Sequence, residues 1–129
     1  WNWLALQLDD GTDIVTFDIF GSREKPLMHM ATLNLRGTTT ALGDRDFTLR
    51  PLDKPEAIPG GPTRYPQNWE LAIPGKGLLL QITVPVDHCE FDRTETGHNR
   101  TWEGPVRVSG SRTGAGYLEL TGYGSAARR

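Results

Sequence analysis

Acidic and aromatic side chains near the C-terminus have a spacing that could support acid–base chemistry. The stretch GAGYLELTGY, residues 114–123, alternates so that Tyr117 and Glu119 share one face of a strand, opposite two leucines. A second run, TWEGPVRVSG, carries Glu103 in the same kind of alternation. Burial raises the pKa of a carboxyl group, which can then donate a proton to an alkene or a polarised carbonyl. We therefore predict Glu119 and Glu103 as candidate catalytic acids.

Asp18 and His29 are two further candidates. Asp18 interrupts the apolar alternation of DIVTFDIFG. A buried carboxylate without a partner is costly, so we expect Asp18 to be exposed, paired or functional, and we include it as a third catalytic candidate. His29 shares a strand face with Leu27, Ala31 and Leu33, a position more typical of a packed or rim histidine than of a catalyst. We assign it to substrate binding.

Aromatic residues could wall a site for a hydrophobic molecule, and their ring faces could stabilise a developing positive charge. These candidates for substrate binding are Trp1, Trp3, Trp69, Trp102, Tyr117 and Tyr123. In the alternative interpretation, Glu119 is a surface residue paired across its hairpin with Arg107 or Arg112, a contact worth roughly 0.2–1 kcal/mol. Strand parity leaves both possibilities open. In the first, the aliphatic face lies inside the barrel and the glutamates lie outside. In the second, the mixed acidic and aromatic face lines a cavity and the aliphatic face packs on a partner.

Other motifs for catalysis or metal binding are weak. The stretch DHCE, 87–90, followed by His98, lacks the CxxC, HExxH or paired-His spacing of a metal site, and we interpret it as a solvated loop. No GxSxG elbow or phosphate-binding loop occurs, which argues against a serine hydrolase. Cys89 is the only cysteine, so an intrachain disulfide is excluded. We expect neither a metal nor a cofactor.

Composition bounds the class of protein. The chain has 129 residues, 36% of them hydrophobic, which suits a single domain with its own core. The formal charge of −2 gives no electrostatic basis for binding nucleic acid. No apolar run approaches the roughly 20 residues needed to span a bilayer, so no membrane span is predicted.

The elements that must position the candidates are strands. Apolar residues alternate in short runs separated by turn residues, and no helical periodicity is sustained. The predicted strands are 1–8, 12–20, 27–35, 38–42, 46–52, 69–73, 77–86, 101–110 and 116–123. The segment 53–64 is rich in proline and glycine, and we predict an irregular loop there, either a crossover or a lid. About eight antiparallel strands can form a sandwich or an up-and-down barrel, and we favour the barrel.

Three stretches together resemble a known family: WNWLALQLDDG, YPQNWELAIPGKGLLL and TWEGPVRVSGSRTGAGYLELTGY. The chain is similar to the C-terminal half of the lipocalin-like family that includes carotenoid hydratases (hydroxyneurosporene synthases), attachment-locus proteins and predicted secreted hydrolases. The resemblance implies that residues 1–129 form one all-β, antiparallel, up-and-down lipocalin-like barrel. It also implies that the chain is the C-terminal half of a two-barrel protein. This expectation agrees with a sequence that starts in mid-strand without a leader or an initiating Met.

The resemblance also implies a function. Such a barrel would act with an N-terminal lipocalin-like barrel, or as a homodimer, on a hydrophobic polyene or terpenoid-type small molecule by hydration, cyclisation or isomerisation. The Tyr-x-Asp or Met-Asp-His type motif proposed to carry the acid of the hydratases does not occur in this chain, so the chain alone is not expected to be a hydratase. The alternative is a non-catalytic barrel that binds a hydrophobic ligand or acts as a scaffold. Bacterial cytoplasm, periplasm and secretion all remain open.

Overall fold

Most of the described chain is β-strand. The structure is a computed structural model, and it describes residues 1–20, 26–53, 56–57, 64–86, 88–92, 95 and 99–123. The strands are β1 (Asn2–Leu8), β2 (Thr12–Phe20), β3 (Pro26–Leu35), β4 (Thr38–Leu42), β5 (Thr48–Pro51), β6 (Glu56–Ala57), β7 (Arg64–Tyr65), β8 (Asn68–Ile73), β9 (Leu78–Thr83), β10 (Glu90–Phe91), β11 (Thr101–Gly110) and β12 (Gly114–Thr121). A 3₁₀ turn, Pro74–Lys76, joins β8 to β9.

The β1–β2 hairpin shows how local sequence produces these strands. Apolar residues at every second position give β1 alternating buried and more exposed side chains. Gly11 takes a φ of 82°, and its N–H donates to the Leu8 carbonyl at 3.0 Å. The Asp10 carboxylate accepts from the Thr12 N–H at 3.0 Å. The predicted Asp-Gly turn is confirmed, and Gly11 provides its left-handed conformation.

Nine of the strands form one continuous antiparallel path in the described residues. Its order is β4-β3-β2-β1-β12-β11-β9-β8-β5, and β10 pairs with the start of β11. The first and last long strands are therefore neighbours, from Asn2 opposite Leu120 to Leu8 opposite Gly114. An antiparallel path over nine strands leaves its two ends, β4 and β5, running in the same direction.

The two ends of the path are successive pieces of the chain. β4 and β5 are separated only by residues 43–47, so they can be interpreted as two halves of one interrupted strand, the first paired with β3 and the second with β8. Counted in this way the sheet has eight strand positions. The predicted up-and-down lipocalin-like barrel is confirmed.

Two predicted loops contain short strands. Residues 53–64 were expected to lack regular structure, but β6 and β7 form a small ribbon with Glu56 opposite Tyr65. The stretch 87–100 was expected to be a solvated loop, but β10 adds to the sheet. Arg100 contacts Glu90 at 3.0 Å and Asp92 at 2.6 Å. Both corrections have the same cause, because two-residue strands carry too little alternation to be recognised in a sequence.

The inside of the curled sheet is filled by its own side chains. Its buried hydrophobic residues include Leu4, Leu6, Ile14, Phe47, Tyr65, Trp69, Leu71, Leu80, Ile82, Trp102, Val106, Leu118 and Leu120. The Trp102 ring lies over Gly104, where a Cβ would come within 2.6 Å of the ring. Such a core leaves little room between its layers.

The two ends of the barrel differ. Tight turns at 9–11, 36–37, 74–77 and 111–113 join strands at one end, and the longer connections from β5 to β8 and from β9 to β11 start and finish at the other. The first of these connections is held at its base by Asp53, whose carboxylate accepts from the backbone N–H of Gln67 at 3.2 Å and from the Asn68 side chain at 2.8 Å. The end with the long connections is where a molecule could enter. We call it the mouth.

None of the described residues belongs to a helix with the length and apolar character needed to cross a membrane.

We expect Gly104→Ala to destabilise the fold. The added Cβ would press on the Trp102 ring, and overpacking of this kind costs about 1–3 kcal/mol. Urea unfolding should show a lower midpoint for the variant. Gly75→Ala is the matched control, because a Cβ there meets nothing within 4 Å. Equal midpoints for Gly104→Ala and the wild type would contradict this account of the core.

Candidate functional site

A carboxylate and an imidazole are paired inside the barrel near its mouth. Asp18 in β2 lies directly opposite His29 in β3. The Asp18 Oδ1 and His29 Nδ1 atoms are 2.6 Å apart, and Asp18 is only 3% exposed. The sequence interpretation that Asp18 must be exposed, paired or functional is met by this pairing.

The second nitrogen of His29 also faces an acceptor. His29 Nε2 lies 3.3 Å from the carbonyl oxygen of Phe47, and the two rings are stacked with centroids 4.0 Å apart. Both contacts are hydrogen bonds only if two protons are present: one on Nε2 and one between Nδ1 and Asp18. An imidazolium beside a carboxylate satisfies this condition, and so does a neutral imidazole beside a protonated Asp18. Either arrangement would place one proton more on the pair than a neutral histidine beside a carboxylate has.

The electrostatics of Asp18 agree with a shared proton. Burial raises the pKa of the Asp18 carboxyl above its usual value, and the hydrogen bond and charge of His29 oppose that rise. Burial is the larger of these effects. A carboxyl group with a raised pKa retains its proton closer to neutral pH, as a general acid requires.

Exposure along β3 locates the pair at the boundary between core and solvent. On the inward face, Leu27 is 75% exposed, the His29 side chain 16% and Ala31 2%. His29 is therefore one layer below the mouth.

Other polar groups surround the pair. Asn2 lies opposite Asp18 in the sheet, and its side-chain oxygen accepts from the Tyr123 hydroxyl at 2.8 Å. The Tyr123 ring is 5.5 Å from that of Tyr65, which is fully buried. The hydroxyl of Thr16 is buried and has no hydrogen-bond partner among the residues that the structure describes. The interior of the barrel near its mouth thus combines acid–base groups with aromatic side chains.

Sequence reasoning found only part of this cluster. Asp18, His29 and Tyr123 were candidates, whereas Asn2, Thr16 and Tyr65 were not. Asn2 could have been found, because it alternates with three inward leucines in WNWLALQL. A polar residue in such an alternation is the signal that identified Asp18. Tyr65 follows an irregular segment, where no alternation exists to assign its direction.

The remaining acidic candidates lie on the outer face of the sheet. Glu119 is opposite both Trp3 and Glu103, and its Oε1 accepts from the Trp1 indole N–H at 2.7 Å. A depression of about 300 Å³ is lined by Trp1, Trp3, Phe17 and Glu119. The aliphatic face lies inside, so the alternative with an acidic interior is wrong.

The alternative interpretation that Glu119 pairs with Arg107 or Arg112 is also wrong in its choice of partner. Arg112 contacts Asp10 at 3.0 Å, and Glu119 bonds Trp1 instead. Tyr117 accompanies the glutamates on the outer face. The pKa of its phenol is raised by partial burial and then by the negative charge of Glu103.

The predicted aromatic walls do not form one cavity. Trp1 and Trp3 lie outside, whereas Trp69 and Trp102 are core residues, each 1% exposed. Tyr123 lies at the mouth. The predicted site residues therefore fall into three groups. One is the Asp18–His29 pair with its neighbours inside the barrel, another lies on the outer face of the sheet, and the third consists of the two core tryptophans.

Metal ligands are not grouped in the part of the chain that the structure describes, where no three His, Cys, Asp or Glu side chains could hold an ion together. Asp87 and His98, from the stretch considered above, lie outside the described residues.

Solved structures share this fold. A crystal structure of a protein assigned as AttH from Nitrosomonas europaea superposes with a TM-score of 0.80 at 28% identity, covering 95% of this chain and 38% of that one. Kievitone hydratase from Nectria haematococca superposes with a TM-score of 0.70 at 19% identity, covering 94% of this chain and 38% of that one. The chain therefore spans less than half the length of each of these proteins. A search of the curated proteins gave no match.

The family model for AttH-like proteins matches residues 1–123, almost the whole of the chain. The match includes both strands of the Asp18–His29 pair and the outer face around Glu119. This chain belongs to the AttH-like family.

Proposed function

We propose that this barrel performs acid–base chemistry on a hydrophobic small molecule, with the Asp18–His29 pair transferring the proton. The observation that supports this is the 2.6 Å contact of a buried carboxylate with an imidazole whose other nitrogen also faces an acceptor. A proton shared by this pair would lie beside an apolar core, where a hydrogen bond is electrostatically stronger than in water.

The reaction class that suits such a pair is the addition or removal of water at a carbon–carbon double bond. Protonation of the alkene, or removal of a proton next to a carbonyl, needs one group that alternates between acid and base. The name of the neighbour kievitone hydratase is a further reason to test hydration before cyclisation or isomerisation. A polyene or terpenoid-type substrate fits the apolar surroundings.

His29 is the group through which the proton would pass. Its contact with the Phe47 carbonyl, 3.3 Å, is the longer of its two hydrogen bonds. Phe47 lies in the interruption between β4 and β5, so this bond belongs to a part of the wall without a continuous ladder. A bound molecule would replace the Phe47 carbonyl at Nε2, and Asp18 would restore the proton to the ring.

A partner would complete the site. The chain covers only 38% of either structural neighbour, and we propose that a second lipocalin-like barrel of the same polypeptide supplies the wall facing the mouth. A homodimer is the other arrangement. In either case this chain contributes the proton-transferring pair.

A non-catalytic scaffold is the second candidate. It is favoured by the dense filling of the interior, in which Trp69 and Trp102 occupy space that a ligand would need. A scaffold or carrier would not depend on a proton at Asp18, so chemistry at that residue separates the two proposals.

Asp18→Asn in the full natural polypeptide should lower turnover roughly 10²- to 10⁴-fold, because asparagine keeps the shape but cannot exchange a proton. Turnover can be followed by mass spectrometry as the gain of labelled water by a panel of acyclic polyenes and α,β-unsaturated ketones. Asp13→Asn, an exposed position in the same strand, is the control and should leave turnover unchanged. If wild-type protein converts a substrate and Asp18→Asn converts it equally fast, the assignment fails. If the wild type binds the panel without converting it, the scaffold is favoured.

His29→Gln should raise the pKa of Asp18 further, because a glutamine side chain carries no positive charge to oppose the effect of burial. The folded variant then keeps a proton that the unfolded chain releases above the ordinary value of 3.8, so its free energy of unfolding should fall as pH rises through that interval. Carbon NMR titration of the carboxyl and urea unfolding at several pH values measure both effects.

The double variant with Asp18→Asn should lose this pH dependence. A pKa of Asp18 that stays constant or falls in His29→Gln would show that the imidazole does not share the proton.

A further inference from the structure

We propose that the depression on the outer face, lined by Trp1, Trp3, Phe17 and Glu119, is a binding site for an organic cation with an apolar body, such as a quaternary or protonated amine. This site is separate from the inner pair. It does not depend on the reaction proposed for that pair, because the wall of the barrel lies between them.

One row of side chains across five strands builds the site. Cross-strand pairing sets Met30 opposite Phe17, Phe17 opposite Trp3, Trp3 opposite Glu119, and Glu119 opposite Glu103. Side chains in such a row all point to the same side of the sheet, with strands about 4.8 Å apart. The row is therefore apolar and aromatic at one end and acidic at the other. Its central members Phe17, Trp3 and Glu119 lie within about 10 Å of one another, which is within reach of one small molecule.

The aromatic end and the carboxylate favour the same ligand. A cation is attracted to the faces of tryptophan and phenylalanine rings, and quaternary ammonium groups are recognised in this way. The Trp1 indole N–H donates to Glu119 Oε1 at 2.7 Å, which fixes the carboxylate beside the rings and leaves the Trp1 ring face available. Trp1 is 41% exposed.

The negative charge of this row also favours a cation as its ligand. Glu103 and Glu119 are directly opposite each other, and like charges in that position destabilise a sheet. No lysine, arginine or histidine forms an ion pair with either of them in the described ranges. Arg107 is four residues further along β11. The Trp1 amino group donates to the Thr121 carbonyl at 2.8 Å and interacts with Glu119 only through its charge, and Glu103 accepts from the neutral Tyr117 hydroxyl.

Other classes of ligand fit less well. An anion would be repelled by two carboxylates, and a neutral apolar molecule would remove Glu119 from water without a compensating charge. A protein partner could also cover the face, since Val15, Met28 and Met30 are exposed beside it. Sedimentation, described below, distinguishes a protein partner from a small cation.

The test uses benzyltrimethylammonium and its uncharged silicon isostere, benzyltrimethylsilane, each titrated into the full natural polypeptide and into the 129-residue chain. Indole N–H signals in NMR report the site, because Trp1 and Trp3 line it. Trp69 and Trp102 are buried in the core and serve as internal references. We expect the cation to shift the signals of Trp1 and Trp3 only, and to bind at least about tenfold more tightly than the isostere.

Two variants localise the binding. Glu119→Gln keeps an acceptor for the Trp1 indole but removes the charge, and Trp3→Leu removes a ring; each should weaken cation binding about tenfold. Glu70→Gln, an outer-face carboxylate of β8 that contacts Arg50, is the matched control and should bind normally.

Equal affinity for the cation and the isostere would overturn the proposal, as would normal binding by Glu119→Gln. No shift up to about 50 mM cation, together with a concentration-dependent dimer in sedimentation, would overturn it in favour of a protein interface.

Discussion

Burial of one aliphatic face of a single curled sheet is the constraint on which the other features of this molecule depend. Leu4, Leu118 and Gly104 form one inward row across β1, β12 and β11, and rows like it fill the barrel. Because strand side chains alternate strictly, fixing the leucines inside also fixes every second residue outside. A shift of one residue in register would exchange the two faces. The positions of both candidate sites follow from this packing.

The same constraint explains why the two sites differ in character. A carboxylate inside the barrel must share its charge, and Asp18 does so with His29. Carboxylates on the outside remain near water, so Glu103 and Glu119 can face each other at a modest cost. The inner pair is thus suited to holding and moving a proton, and the outer pair to attracting a positive charge. One sheet separates the two kinds of chemistry.

Much of the fold could be predicted because alternation and turn residues are local signals. Thr12–Phe20, Thr38–Leu42 and Thr101–Gly110 were predicted with the bounds that the structure gives them. The ribbon of β6 and β7 could not be predicted, since two residues do not define a period. A break between strands 38–42 and 46–52 was predicted, but the exchange of pairing partners from β3 to β8 across it was not, because pairing carries no local sequence signal.

The candidate site was predicted residue by residue but not as a geometry. Asp18 could be recognised because it breaks an apolar alternation, and parity alone gave two possible directions for Glu119. The contact of Asp18 with His29 required the register between β2 and β3, which the charged segment between the strands does not specify. The Phe47 carbonyl could not have been foreseen, since backbone groups carry no sequence signal.

The central claim is that Asp18 and His29 share a second proton at the edge of the core. Long-range proton–nitrogen NMR of the His29 ring tests it most directly, because the nitrogen shifts report where each proton resides. The account predicts that Nε2 is protonated at neutral pH and that a strongly downfield proton lies between Nδ1 and Asp18. A bare Nε2, with a single proton on Nδ1, would contradict it.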